Sequence, residues 1–292
     1  MKMEHKANEV FDSRFVLTRL VGIDAYSEAW LAIHMERNSV VILKLFKKSS
    51  ELLQIAVRQW ITRVWNIHHK NIMLPLFFNV LDNIPYFVLP YCQNGSISRS
   101  VGAFSEEQVW KLLCDVANGL ALLHNMNPPI LHQHLTPDNI LIADDGTFMI
   151  SDFGLNGLYS AMDSACYTKT FDRPSGNCTY KAPELFSAKQ IYTSSSDIYS
   201  LGIIAFEMLT GETPFGELGG WLQLQGEEMP NMGNRCSDTL RLVIDKCQKL
   251  NPLERPSAMQ LHSYAELALS GQIALLKKTI QRKRKWYRLF LK

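Results

Sequence analysis

Two short stretches hold most of the side chains that could do chemistry. The first is ILHQHLTPDNILI, residues 130–142, with the imidazoles of His132 and His134 and the polar pair Asp138 and Asn139. The second is FMISDFG, residues 148–154, in which Asp152 stands thirteen residues on from Asn139. A neutral imidazole accepts a proton near neutral pH, so His134 is a candidate base. Lys44 is set in the apolar run VVILKLF, which argues against a strand-end lysine in water. The six cysteines, at 92, 114, 166, 178, 236 and 247, form no CxxC pair, and no histidine cluster completes a zinc pattern. Scattered single cysteines in a chain this long point to a reducing compartment.

The elements that must position these groups change character along the chain. FVLTRLVGI, EAWLAIH and SVVILKLF are β-branched and aromatic runs separated by turns, and predict strands. Residues 51–67 switch to helical spacing, and 72–91 return to strands with Asp82-Asn83 as a hairpin turn. From Ser105, a fitting N-cap followed by two acids, the texture is helical, with further helices over 194–210, 237–249 and 257–269. The pattern predicts an α+β fold: a small β-rich lobe with one main helix, joined near Gln93-Asn94-Gly95 to a larger helical lobe. Hydrophobic residues make up 47% of the 292, which suffices for a core and excludes a disordered chain. No run is apolar enough to span a membrane and the N-terminus lacks a signal-peptide pattern, so a cytoplasmic protein is expected, with the nucleus as the alternative.

Charge is uneven. Residues 277–292 hold eight Lys or Arg and no acid, which leaves 22 basic against 28 acidic residues in the rest. The body is therefore not a nucleic-acid reader by charge. The basic tail interleaves Trp286, Tyr287, Leu289, Phe290 and Leu291. It reads as a nuclear-import or nucleic-acid patch, a helix for a membrane surface or a calmodulin-type partner, or a solvated tail.

Taken in order, His132-Gln133-His134-Leu135-Thr136-Pro137-Asp138-Asn139, Asp152-Phe153-Gly154, Ala182-Pro183-Glu184, Asp197 in SSSDIYSLGIIAFEMLTGETPF and Arg255 in NPLERPSA resemble the ordered motifs of the protein kinase family over residues 15–265. YKAPE is similar to the serine/threonine class. The resemblance implies a two-lobed kinase domain with lobes of about 15–92 and 93–265, after an extension of 1–14 and before a tail of 266–292. It implies that Lys44 holds nucleotide phosphates, that Asn139 and Asp152 hold Mg²⁺, and that Leu89 to Cys92 form the hinge that reads adenine through backbone groups. It gives Gly22 the start of a glycine-rich phosphate loop. Asp197 caps the N–H groups of the 132–134 loop, and Glu184 pairs with Arg255.

Several positions depart from the family pattern. His134 stands where a carboxylate orients the substrate hydroxyl, a substitution that costs about 10² to 10⁴ in rate. Thr136 stands where a lysine neutralises the moving phosphoryl group, a loss of roughly 10² to 10³. Gln133 cannot supply the charge that would receive a phosphate on Thr168, Thr170, Ser175 or Thr179. The helix position that should pair with Lys44 is Trp60, or Gln59 in a shifted register, so Lys44 is expected to be unpaired. In the phosphate loop only Gly22 remains, with Asp24 and Ser27 in place of glycines and Glu28 as a further acid near the phosphates. The implied function is a pseudokinase that binds a protein partner, such as an active kinase or its substrate. ATP and Mg²⁺ are then weak and dispensable ligands. The alternative is a weak or atypical serine/threonine kinase.

Overall fold

The computed structural model describes residues 4–23, 27–47, 51–155, 178–187 and 190–280. Asp24 and Tyr26, the segment 156–177 with Cys166, Thr168, Thr170 and Ser175, and the basic residues 281–292 lie outside them.

Six strands build the smaller lobe: β1 (Val10–Phe11), β2 (Phe15–Ile23), β3 (Ser27–His34), β4 (Ser39–Phe46), β5 (Phe77–Leu81) and β6 (Ile84–Pro90). They form one antiparallel sheet in the order β1-β2-β3-β4-β6-β5. The expected strand at 72–76 is absent apart from an isolated bridge between Ile72 and Ile150. Alternation gives the sheet two apolar faces. Phe15, Leu17, Trp30, Leu43, Leu45 and Tyr86 cluster on one. Phe46 and Phe87 face the other and pack with Leu53, Val57, Trp60 and Val64 of α1 (Glu51–Val64).

The larger lobe is helical: α2 (Glu106–His124), α3 (Ser194–Thr210), α4 (Gly220–Leu224), α5 (Asp238–Cys247) and α6 (Ala258–Leu269). The short α4 has no periodic signal in the sequence. A capping box starts α2, with Ser105 and Gln108 exchanging hydrogen bonds and Glu106 and Glu107 in the first turn. Thr193 caps α3, and Gly211 ends it with φ of 88°, a left-handed conformation that favours glycine. A hairpin of β7 (Ile140–Ile142) and β8 (Phe148–Ile150) separates the two chemistry-bearing stretches. Residues 273–280 are helical, and Leu276 and Ile280 are buried in the main core. The segment set apart as a tail by its charge is thus folded as far as Ile280.

Candidate functional site

The catalytic-type loop is held from below. Asp197, buried near the start of α3, accepts hydrogen bonds from the backbone N–H of His132 and of Gln133, each at 2.9 Å. It also contacts His124 Nε2 at 2.9 Å. Gln133 takes φ of 66°, the left-handed turn that lets both N–H groups reach one carboxylate. His132 is fully buried, and burial pushes its imidazole down to about 4, so it stays neutral. The loop is therefore pinned, and it presents His134 outward.

His134 is exposed, and its ring orientation is set by Asn139. Asn139 Nδ2 lies 2.8 Å from the His134 carbonyl oxygen and 3.3 Å from His134 Nδ1. A carbonyl only accepts, so the amide atom facing it must be the nitrogen. That same nitrogen then donates toward Nδ1. A neutral ring whose Nδ1 accepts carries its proton on Nε2. Where Nδ1 accepts this contact, the outward nitrogen of His134 is an N–H donor, the opposite of what a general base requires. Thr136 opens the turn 137–139, and its carbonyl accepts the Asn139 N–H at 3.0 Å. Its hydroxyl carries no charge to offset a phosphoryl group.

The second chemistry-bearing stretch is brought against the first by backbone. Ser151 N–H donates to the Asn139 carbonyl at 2.9 Å, which sets Asp152 beside the 132–139 loop. Lys44, buried on β4, reaches Asp152 Oδ2 at 2.7 Å. The expectation of an unpaired Lys44 is corrected: it takes a carboxylate 108 residues away in place of the missing helix acid. Trp60 occupies the helix position itself. Its indole N–H donates to the Phe153 carbonyl at 3.1 Å, and its ring lies 5.5 Å from Phe153 and 5.3 Å from Phe87. Gly154, with φ of +72°, passes so close that a Cβ there would stand 3.2 Å from Trp60 Nε1. Trp60 therefore ties α1 to the 152–154 turn by packing and one hydrogen bond, where the kinase pattern uses an ion pair.

The residues expected to face nucleotide are distributed less favourably. Gly22 is an exposed residue of β2, where an added Cβ would make ordinary contact, 3.7 Å, with Ala29 Cβ. Glu28 is corrected outright. It pairs with Leu45 across the sheet, whereas Ala29 pairs with Lys44, so Glu28 and Lys44 face opposite sides. Its buried carboxylate accepts the Trp30 indole N–H at 2.9 Å and the Glu4 N–H at 2.8 Å. It cannot repel a phosphate in the cleft. Ser27 is buried, Asp24 lies outside the described residues, and Thr179 is buried rather than displayed for modification.

The hinge leaves β6 at Pro90, and the Cys92 N–H has no hydrogen-bond partner among the described residues. Leu89 pairs with Ile42, which shares the Lys44 face of β4. Ile42 was readable from its spacing of two from Lys44. The carboxylate of Asp152 and the amide oxygen of Asn139 are hard oxygen donors that suit Mg²⁺. The metal would have to compete with Lys44 for Asp152.

Away from the cleft, Glu184 and Arg255 form a two-pronged ion pair, with both contacts at 2.8 Å. Ser196 Oγ adds a hydrogen bond to Glu184 at 2.8 Å. Burial pushes the Glu184 carboxyl up, but Arg255 more than offsets this and holds it below its ordinary range.

The family model for the protein kinase domain matches residues 15–265. The chain is 28% identical over 290 residues to the serine/threonine-protein kinase BCK1/SLK1/SSP31 of Saccharomyces cerevisiae, covering 91% of this chain and 19% of that protein. It is 26% identical over 266 residues to the mitogen-activated protein kinase kinase kinase YODA of Arabidopsis thaliana, covering 87% of this chain and 29% of that protein. It is 29% identical over 216 residues to Aurora kinase of Schizosaccharomyces pombe, covering 70% of this chain and 57% of that protein. The chain thus spans less than two thirds of each relative.

Proposed function

Since this chain belongs to the protein kinase family, we propose that it is a pseudokinase, a catalytically impaired member that works by binding a protein partner. The observation that carries the reading is the tie between Asn139 and His134, which leaves a donor where phosphoryl transfer needs an acceptor. Thr136 in place of a charge-stabilising lysine adds to it. The partner is an active kinase or its substrate, and the setting is the cytoplasm or the nucleus. Among the described residues no helix is long and apolar enough to cross a membrane. The basic segment beyond Ile280 would contact that partner or a membrane surface, with no specific nucleic-acid ligand. The test is incorporation of labelled phosphate into a generic protein substrate. Wild type should match Asp152→Asn, and robust incorporation abolished by Asp152→Asn would overturn the proposal.

A second reading, a weak serine/threonine kinase, is favoured by one observation: Lys44 and Asp152 stand together beside the pinned loop. The same assay separates the two.

In either case kinase domains bind ATP with Mg²⁺, and here Lys44, Asn139, Asp152 and the Cys92 N–H are the groups that would receive them. Mg²⁺ would supply positive charge between the phosphates and Asp152. Binding should be weak and metal-dependent, because Asp152 is already engaged by Lys44. By calorimetry, Lys44→Met should weaken it further. Tight binding without metal, or indifference to Lys44→Met, would place the phosphates elsewhere.

A further inference from the structure

A cavity of about 640 Å³ in the larger lobe shares no residue with the cleft. One wall is α5 and the residue that follows it. Arg241, Asp245 and Gln248 recur there at spacings of four and three and so share a face. Met229, Met232 and Leu250 give the cavity apolar surface.

Three groups of this wall lack a hydrogen-bond partner among the described residues: the Gln248 amide, the Asp245 carboxylate and the buried Nε of Arg241. Gln248 is 2% exposed, and among the described residues neither its side-chain oxygen nor its nitrogen has a hydrogen bond. The side chain lies against α3, where a Cβ on Gly202 would come within 3.2 Å of Gln248 Cγ. A buried amide with both ends unpaired is destabilising, and calls for a partner that the described residues do not supply. Asp245 is half-buried one turn before it, and no hydrogen bond or ion pair reaches its carboxylate among the described residues. Burial pushes that carboxyl up, although Lys249 and Arg241 pull it down. Arg241 donates through one terminal nitrogen to the Gly233 carbonyl and faces Asp238 at 3.6 Å, while its buried Nε has no hydrogen bond among the described residues. Glu228 and Glu254 add carboxylates to the lining, against Arg241 and Lys249, so the site favours a cation.

We propose that this cavity takes an arginine side chain from a partner's peptide. The guanidinium meets the Asp245 carboxylate and the Gln248 amide oxygen together, and its stem lies along Met229 and Met232. The planar fork of arginine suits two acceptors at once, which a lysine ammonium does not match. The Gln248 amide must turn from Gly202 into the cavity to complete the contact, and its N–H₂ then faces a peptide carbonyl. The inference is independent of catalysis in the cleft, so it stands or falls apart from the pseudokinase reading.

The test is fluorescence anisotropy on the full chain with a labelled, capped pentapeptide bearing one central arginine between leucines. A matched peptide carries citrulline, which keeps the shape and loses the charge. The arginine peptide should bind, and citrulline should weaken it by about tenfold or more. Asp245→Asn should weaken it by a similar factor without lowering the melting temperature. Gln248→Leu should weaken it while raising the melting temperature, since it removes the unpaired amide. No binding of the arginine peptide at millimolar concentration, or binding indifferent to Asp245→Asn and to citrulline, would overturn the proposal.

Discussion

Arg255→Ala should destabilise the fold by about 3–5 kcal/mol, the cost of breaking a buried pair from one side. The Arg255 side chain is 0% exposed and holds both oxygens of Glu184. It also donates to the carbonyls of Lys249, Ser195 and Leu250 and lies over the Tyr199 ring. Alanine takes a donor from each of these acceptors and leaves the Glu184 carboxylate without a counterion, with Ser196 Oγ as its remaining side-chain donor. Arg255→Lys should recover only part of the loss, because an ammonium cannot make the two-pronged contact. The pH dependence follows from Glu184. Its lowered carboxyl contributes stability that is full above the ordinary value of 4.5 and is lost as pH falls through the folded value. Without Arg255, burial raises Glu184 against only its hydrogen bonds to the backbone and Ser196, so the gap between variant and wild type should narrow in acid. Chemical denaturation at neutral and acid pH checks both statements. An unchanged midpoint at neutral pH would show that the pair contributes nothing.

The double substitution His134→Asp with Thr136→Lys should raise phosphotransfer above the wild-type background by at least about 10², the lower bound for restoring one positioned base. Lysine at 136 returns the charge that stabilises the transferring group, which is worth a further factor of roughly 10² to 10³ if the two act independently. They need not, since groups that work as a unit are non-additive. His134→Asp would also free Asn139 from its imidazole contact, which favours metal binding. Trp60 remains, so Lys44 keeps Asp152 as its only described ion-pair partner and full kinase turnover should not return. Initial rates of the double variant against wild type decide this. No gain would mean that neither position limits the reaction.

Most of the architecture was legible because it rests on local patterns. The strands follow from β-branched alternation, α2 from Ser105 and the acids after it, and the larger lobe from periodic helices. The order of the motifs located the pinned loop and the Glu184–Arg255 pair. What was not legible depends on parity, distance or turn geometry. Glu28 was placed near the phosphates by its position in a loop motif, yet Trp30 two residues later points the same way, into the apolar face. The Lys44–Asp152 contact joins two stretches that no periodicity connects. The Asn139–His134 contact depends on a tight turn at 137–139 whose closure no residue type announces. At residues 273–280 the charge of the neighbouring segment masked a buried stripe, Leu276 and Ile280 at a spacing of four.

His134 either donates or accepts at Nε2, and nitrogen NMR on histidine-labelled protein distinguishes the two. The His134 signals are assigned by their loss in His134→Gln. At a pH where the ring is neutral, Nε2 should carry the proton and Nδ1 should not, as its contact with Asn139 requires. A proton on Nδ1, with Nε2 bare and facing the cleft, would contradict the account by showing a base where the structure places a donor.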